Sequence, residues 1–293
     1  MAAPLLPPVE TGPAIAWAAA RLRRAALSYG HGTDNPQDEA AALVFHAAGW
    51  AHADAPAAYQ WLLSDAVRER IAALLARRIK ERIPSAYLTG VTWFAGHEMK
   101  VDPRVLVPRS PIAELIETEF RPFIDPSRVH RILDIGTGSG CIAIACAHAF
   151  PQAVVDAVDI SPAALEVAAA NVAAHGLETR VSLQRSDVFS GVIGRQYDMI
   201  VSNPPYVPIA DVEALPPEYA HEPAVGLASG ADGLNAVRAI LADWRQYLTP
   251  GGILVVEVGD SAAAVEHTWP QLPFIWLEFE RGGGGVFLLT MEE

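Results

Sequence analysis

From about residue 130 onward, short apolar runs alternate with helical stretches, and this alternation restricts the fold more than any other feature of the chain. Runs that read as strands cover 131–136, 154–160, 181–187, 197–202 and 252–259, and helical stretches cover 141–150, 162–175 and 234–248. Strands that alternate with helices need crossover connections, which produce a parallel sheet covered by helices on both faces. The end of the chain departs from this rule. Residues 274–280 and 286–291 read as strands with only a Gly282–Gly285 run between their ends, so an antiparallel hairpin is expected there. The expected class is α/β.

The front of the chain has a different texture. Helices are expected over 13–28, from Asp34-Asn35-Pro36 to about Gly49, over 54–63, and over 64–82. In the last of these, Val67, Ile71, Leu74, Leu75 and Ile79 follow a helical period, continued by Ile83, while Arg68, Arg70, Arg77, Arg78, Lys80 and Arg82 occupy the other positions. That stripe reads as a solvated helix face or as a docking surface for an RNA-bearing or acidic partner. Residues 87–109 mix aromatic and β-branched residues around Gly90 and Gly96 and read as a β-hairpin with His97 and Glu98 at its turn. The expected organisation is a helical domain over 1–86, a hairpin linker over 87–112, and the α/β domain over 113–293.

Composition excludes several classes. No uninterrupted apolar run approaches the length of a membrane span. The N-terminal residues form a loose proline-rich leader without the pattern of a secretory signal. Cys141 and Cys146, five residues apart on a helix, point to different faces, so neither a disulfide nor a metal site is expected from them. These features read as a cytoplasmic chain. Residues 1–90 carry 9 Lys+Arg against 8 Asp+Glu, whereas residues 91–293 carry 12 against 26. An acidic body disfavours broad, backbone-driven nucleic-acid binding.

Four strand ends carry candidate chemistry. Asp134-Ile135-Gly136-Thr137-Gly138-Ser139-Gly140 closes the first strand in a glycine turn that admits positive φ and close approach of a ligand. Cys141 follows Gly140 directly, so the G-x-G-x-x-G spacing of dinucleotide sites is not met. Asp159 closes the second strand, where a carboxylate can accept both hydroxyls of a ribose, or cap the following helix. Asp187, followed by Val188, ends the third and can accept from an adenine amino group. Asn203-Pro204-Pro205-Tyr206 then ends the 197–202 strand. Two prolines fix φ and withhold donors, leaving a stiff corner that holds the Asn203 amide, the Pro204 carbonyl and the Tyr206 ring in fixed relation. Such a corner suits a planar group bearing an NH2.

Together D-I-G-T-G-S-G, V-D-I-S, S-D-V-F and N-P-P-Y resemble an S-adenosylmethionine-dependent methyltransferase acting on an amide or exocyclic amine. Residues 29–40, 81–90, 93–98, 105–112 and 222–234 are similar to the bacterial protein-(glutamine-N(5)) methyltransferase family, in the branch that acts on large-subunit ribosomal protein three. The sister branch, which acts on peptide release factors, carries P-R-P-D-T where this chain has Pro108-Arg109-Ser110-Pro111-Ile112. The resemblance implies a Rossmann-like class I methyltransferase sheet behind a helical substrate-recognition domain. It also implies a cofactor site of Asp134, Gly136, Thr137, Gly138, Gly140, Asp159, Ile160, Asp187, Val188 and Asn203. The substrate glutamine would meet Asn203, Pro204, Pro205 and Tyr206, with Asn203, Pro204 and Tyr206 at the reacting amide and no metal required. Release-factor methylation, base methylation on nucleic acid, and a non-catalytic assembly factor are the competing readings. The acidic body and the lack of a target-recognition region oppose the second, and the intact motifs oppose the third.

Overall fold

A computed structural model of the chain describes residues 6–51 and 54–291. It forms two compact units, one of residues 1–92 with 216–221 and the other of residues 93–215 with 222–293. The first five residues of the leader lie outside the described region.

The first unit contains α1 (Thr11–Arg24), α2 (Pro36–Ala48), α3 (Ala55–Ala58), α4 (Asp65–Glu81) and α5 (Ser85–Thr89). Asn35 accepts from the N–H groups of Gln37 and Asp38 to start α2, and Gly49 ends it in the left-handed conformation. Ile15 and Leu22 of α1, Leu43 and Phe45 of α2, and Ile71 and Leu75 of α4 share one apolar core. The part of the leader that is described is not loose. Leu63 N–H donates to Val9 O and the Arg68 guanidinium donates to Pro7 O, so backbone pairing ties these residues to the start of α4.

The stripe on α4 is not one solvated face either, because Arg78 is fully buried. Its guanidinium donates to Glu39 Oε1 at 2.7 Å, to Glu218 Oε1 at 3.0 Å and to Ser28 O at 2.8 Å. Arg82 reaches the same Glu218 oxygen at 3.2 Å, and Arg70 donates to Ala47 O. A buried guanidinium needs such partners, since its desolvation is otherwise uncompensated. Burial pushes the Glu218 carboxyl up, but the hydrogen bonds from Arg78 and from backbone N–H groups outweigh it and hold it below the usual range. Glu218 lies in the 3-10 turn Pro217–His221, so a six-residue piece from late in the chain completes this unit.

The unit boundary falls inside β1 (Val91–Phe94), which pairs with β2 (His97–Lys100). Ala95 and Gly96 occupy the turn with φ of 46° and 78°, as a two-residue hairpin of this kind requires. His97 and Glu98 therefore belong to β2 and not to the turn.

The second unit continues with α6 (Ile112–Glu117), β3 (Arg131–Ile135), α7 (Cys141–Ala149), β4 (Val154–Asp159), α8 (Pro162–Ala174), β5 (Val181–Arg185), β6 (Tyr197–Ser202), α9 (Ile209–Val212), α10 (Ala224–Leu227), α11 (Asn235–Tyr247), β7 (Leu248–Glu257), α12 (Ala262–Thr268), β8 (Ile275–Leu277) and β9 (Val286–Thr290). The seven strands β3–β9 form one sheet in the order β5-β4-β3-β6-β7-β9-β8. β9 runs antiparallel to β7 and β8, and the other pairs are parallel. Side chains alternate between two cores. Ile132, Met199, Val201, Ile253 and Val255 pack with α6 and α7, while Leu133, Ile200, Leu254 and Val256 pack with α11 through Ile240 and Trp244. The expected strand over 274–280 shortens to β8 because Glu280 and Arg281 N–H groups donate to the Glu114 carboxylate and not to a neighbouring strand. No helix among the described residues is long and apolar enough to cross a membrane.

Candidate active site

β3 lies at the centre of the sheet, with β4 and β5 on one side and β6 and β7 on the other. The crossovers reverse direction between β3 and β6, and at such a point the loops after the two strands diverge and leave a crevice. Those loops are the glycine turn and the Asn-Pro-Pro-Tyr corner. Ile135 pairs with Ser202, whose buried Oγ donates to Ile135 O at 2.8 Å. One residue further, a Cβ on Gly136 would lie 4.0 Å from both Asn203 O and Pro204 Cα. The two motifs, 67 positions apart, are therefore in contact range.

The turn depends on positive φ at Gly136, Gly138 and Gly140 (72°, 55° and 83°). Beneath it Asp134 is fully buried and accepts from Thr137 Oγ1 at 2.5 Å and from Ala143 N–H at 3.1 Å. Burial drives its carboxyl up to about 7 despite these bonds. Its second oxygen, Oδ1, is buried without a partner. Asp159 accepts from Gly138 N–H at 2.9 Å and Ser161 N–H at 2.8 Å, so it joins the turn to the start of α8. The cap of α8 is Ser161 itself, whose Oγ accepts from Ala164 N–H. Burial raises the Asp159 carboxyl as well. Ile160 and Asp187 are exposed, and Val188 follows in the left-handed conformation at φ 48°.

At the corner, Pro204 is buried and Asn203, Pro205 and Tyr206 are partly buried. None of the described residues hydrogen-bonds the Asn203 side-chain amide. Tyr206 is held from several sides. Its hydroxyl donates to Glu257 Oε1 at 3.2 Å, its carbonyl accepts from Ser261 Oγ at 3.1 Å, and a Cβ on Gly259 would come within 2.7 Å of its ring. Val207 pairs with the 227–229 segment, accepting from Ser229 N–H and donating to Leu227 O. Gly233 allows close passage, since a Cβ there would lie 2.4 Å from Tyr206 O.

Several of these supports were not singled out from the sequence. Ser110 Oγ donates to Glu257 Oε2 at 2.5 Å, and burial raises the Glu257 carboxyl to about 7. Arg109 donates both terminal nitrogens to Glu222, at 2.5 and 2.6 Å. The 105–112 and 222–234 blocks are thus parts of one brace around the corner. The available signal was an acid at the end of the apolar run 253–257, but its partners lie 147 and 51 residues away. Cys141 and Cys146 are free thiols, and burial pushes Cys141 up to about 12, which makes it a poor nucleophile. A surface cavity lined by Arg121, Phe123, Asp198 and Gly252 opens by the N-terminal end of β6, away from both motifs.

Residues 13–90 match the PrmC N-terminal domain and residues 120–214 match the methyltransferase small domain. A ribosomal protein uL3 glutamine methyltransferase of Xanthomonas campestris pv. campestris is 48% identical over 279 residues, covering 95% of this chain and 90% of that protein. A protein of the same name from Neisseria meningitidis serogroup B is also 48% identical, covering 94% of this chain and 91% of its own length. The crystal structure of the hMettl16 catalytic domain with an RNA hairpin superposes with a TM-score of 0.53 at 16% identity, over 80% of this chain and 84% of that one, a likeness of fold alone. On the strength of the near-full-length identity, the chain belongs to the ribosomal protein uL3 glutamine methyltransferase family.

Proposed function

We propose that this chain transfers a methyl group from S-adenosylmethionine to the side-chain amide nitrogen of a glutamine in ribosomal protein uL3. One observation carries the reading. The glycine turn and the Asn-Pro-Pro-Tyr corner meet across β3 and β6 in a chain with near-full-length identity to enzymes of that name.

The residues present fit the cofactor. The orphaned Oδ1 of Asp134 is an acceptor beneath the turn, suited to a cationic amino group, and the space above Gly138 is open. In this assignment Gly136 to Gly140 cradle the methionine part, Asp159 takes the ribose, and Ile160, Asp187 and Val188 border the adenine. The cofactor supplies a sulfonium-activated methyl group.

The protein's task is to present a poor nucleophile. An amide nitrogen delocalises its lone pair into the carbonyl, so orientation is much of what catalysis must provide. Asn203 Oδ1 and the Pro204 carbonyl each accept one N–H of the substrate amide. Two acceptors at that nitrogen favour the positive charge that grows on it as the new N–C bond forms. Pro205 offers no competing donor, and the Tyr206 ring packs against the amide plane. The surplus proton then leaves to water. The helical residues 1–86 dock the substrate, the 87–112 hairpin links, and 113–293 carry out transfer, in the cytoplasm where ribosomal proteins are made.

The test is incubation of the protein with labelled cofactor and, separately, uL3, a release factor and ribosomal RNA, followed by mass spectrometry. One added methyl on one uL3 glutamine is expected. Label on the release factor or on RNA alone would overturn the assignment.

A further inference from the structure

Three histidines far apart in sequence meet on the surface of the second unit. His97 opens β2, His148 lies in the last turn of α7, and His175 follows the last residue of α8. One ring nitrogen from each lies within 4.8 Å of the other two. His148 Nε2 and His175 Nδ1 are 3.3 Å apart. The His97 and His148 rings stack at 4.4 Å, and the His97 and His175 rings meet edge to face at 5.8 Å.

We propose that His97, His148 and His175 form a binding site for a divalent transition ion of the zinc class, which ties β2 to α7 and α8.

The distances fit such an ion. Tetrahedral coordination with metal–nitrogen bonds of about 2.0–2.1 Å separates ligand nitrogens by about 3.3–3.4 Å. The His148–His175 pair already has that spacing. His97 must close at most roughly 1.5 Å, and its ring, now stacked on that of His148, must turn a nitrogen toward the ion.

The hydrogen-bond pattern fits too. His175 Nε2 lies 2.8 Å from Glu98 O, and since a carbonyl only accepts, Nε2 carries the proton. A ring whose far nitrogen donates to a backbone carbonyl is held with its near nitrogen toward the ion, the usual support of a metal-binding imidazole. The 3.3 Å contact to His148 further requires a lone pair on one of the two facing nitrogens. On binding, the His148 proton shifts to Nδ1 and both facing nitrogens coordinate. His148 is exposed, so water completes the shell.

The site also has a structural setting. Asn171, four residues before His175 and on the same face of α8, exchanges hydrogen bonds with both backbone groups of Lys100 at 2.7 and 2.9 Å and donates to Ser139 O in the glycine turn at 2.9 Å. An ion at His175 would thus clamp the strand that Asn171 already joins to the turn.

The test uses the untagged full-length protein after chelator treatment. Zn2+ titration by calorimetry should show one ion per chain, and Zn2+ should raise the thermal midpoint. His148→Ala, at an exposed position, and His97→Ala should each weaken binding at least tenfold and abolish the Zn2+-dependent shift. Co2+ should give the visible absorption of a tetrahedral nitrogen–oxygen site, lost in His148→Ala. No saturable binding, binding unchanged in both variants, or a thiolate-to-cobalt band implicating Cys141 or Cys146 would each overturn the proposal and leave only a hydrogen-bonded histidine cluster.

Discussion

Tyr206 and Glu257 are joined by a hydroxyl-to-carboxylate hydrogen bond of 3.2 Å, which ties the last residue of the Asn-Pro-Pro-Tyr corner to the end of β7. The other Glu257 oxygen accepts from Ser110. The carboxyl is almost fully buried and is pushed up to about 7 by that burial. A folded pKa above the unfolded one means that the favourable, protonated state is fully present at low pH and is lost as pH rises through about 7. Stability should therefore fall between pH 5 and pH 8. Glu257→Gln should remove on the order of 3 kcal/mol of that fall. Thermal melts of both proteins at the two pH values check this, and a variant as pH-sensitive as the parent would refute it. Asp134, also raised to about 7, should supply the residual slope.

Asn203→Ala should reduce kcat by at least about 100-fold, in the range seen when one group that stabilises transition-state charge is removed. Cofactor affinity should fall far less than kcat, because Asn203 is one contact at the edge of a site whose cradle, Gly136 to Gly140, is built on β3 and α7. Equilibrium binding of the cofactor alongside single-turnover methylation separates the two effects. Equal loss of both would mean that the corner is structural.

Gly259→Ala should act through Tyr206. The added Cβ would sit 2.7 Å from the tyrosine ring, and Gly259 has φ of 48°. A displacement of the ring by about an ångström can cost on the order of 10²-fold in rate. We expect a 10- to 100-fold loss of kcat with the fold retained by circular dichroism. Tyr206→Ala combined with Gly259→Ala should lose little more than Tyr206→Ala alone.

Arg78 and Arg77 are neighbours in sequence with opposite expected behaviour. Arg78→Ala leaves two carboxylates facing a void in the first unit and should cost about 3–5 kcal/mol. Arg77 is half exposed and, among the described residues, pairs with Glu81 alone, so Arg77→Glu with Lys80→Glu should leave stability nearly unchanged. If the helical domain docks uL3 through this face, the double charge reversal should raise KM several-fold without altering kcat. Denaturant melts and steady-state kinetics measure the two expectations independently.

Local signals were enough to read the sheet and the two chemical loops. Apolar runs mark β3, β4, β6 and β7, and helices separate β3, β4 and β5 from one another and β6 from β7; the glycine turn and the Asn-Pro-Pro-Tyr corner owe their shape to their own residues. Their contact followed only from strand order, because residues 136 and 203 have nothing local in common. Arg78 misled for a related reason. Seven residues after Ile71 and four after Leu74, it falls within the apolar stripe of the helix, and its charge alone grouped it with the other cations; the partners that satisfy it there, Glu39 and a carboxylate 140 residues away, have no local signal. The three histidines were equally silent, since a ligand set drawn from one strand and two helix ends has no spacing to recognise.

The contribution of Pro216–His221 to the first unit has a consequence during synthesis. As a nascent chain leaves the ribosome in N- to C-terminal order, α1, α2 and α4 emerge long before Glu218. Until residue 218 is made, Arg78 lacks one of its two carboxylate partners among the described residues. Domains ordinarily fold as they emerge, but here the amino-terminal unit is not complete until the five strands β2 to β6 and the Asn-Pro-Pro-Tyr corner have been translated. Co-translational proteolysis of stalled chains should find residues 1–92 susceptible in a product that stops before 216 and protected in one that extends past 221.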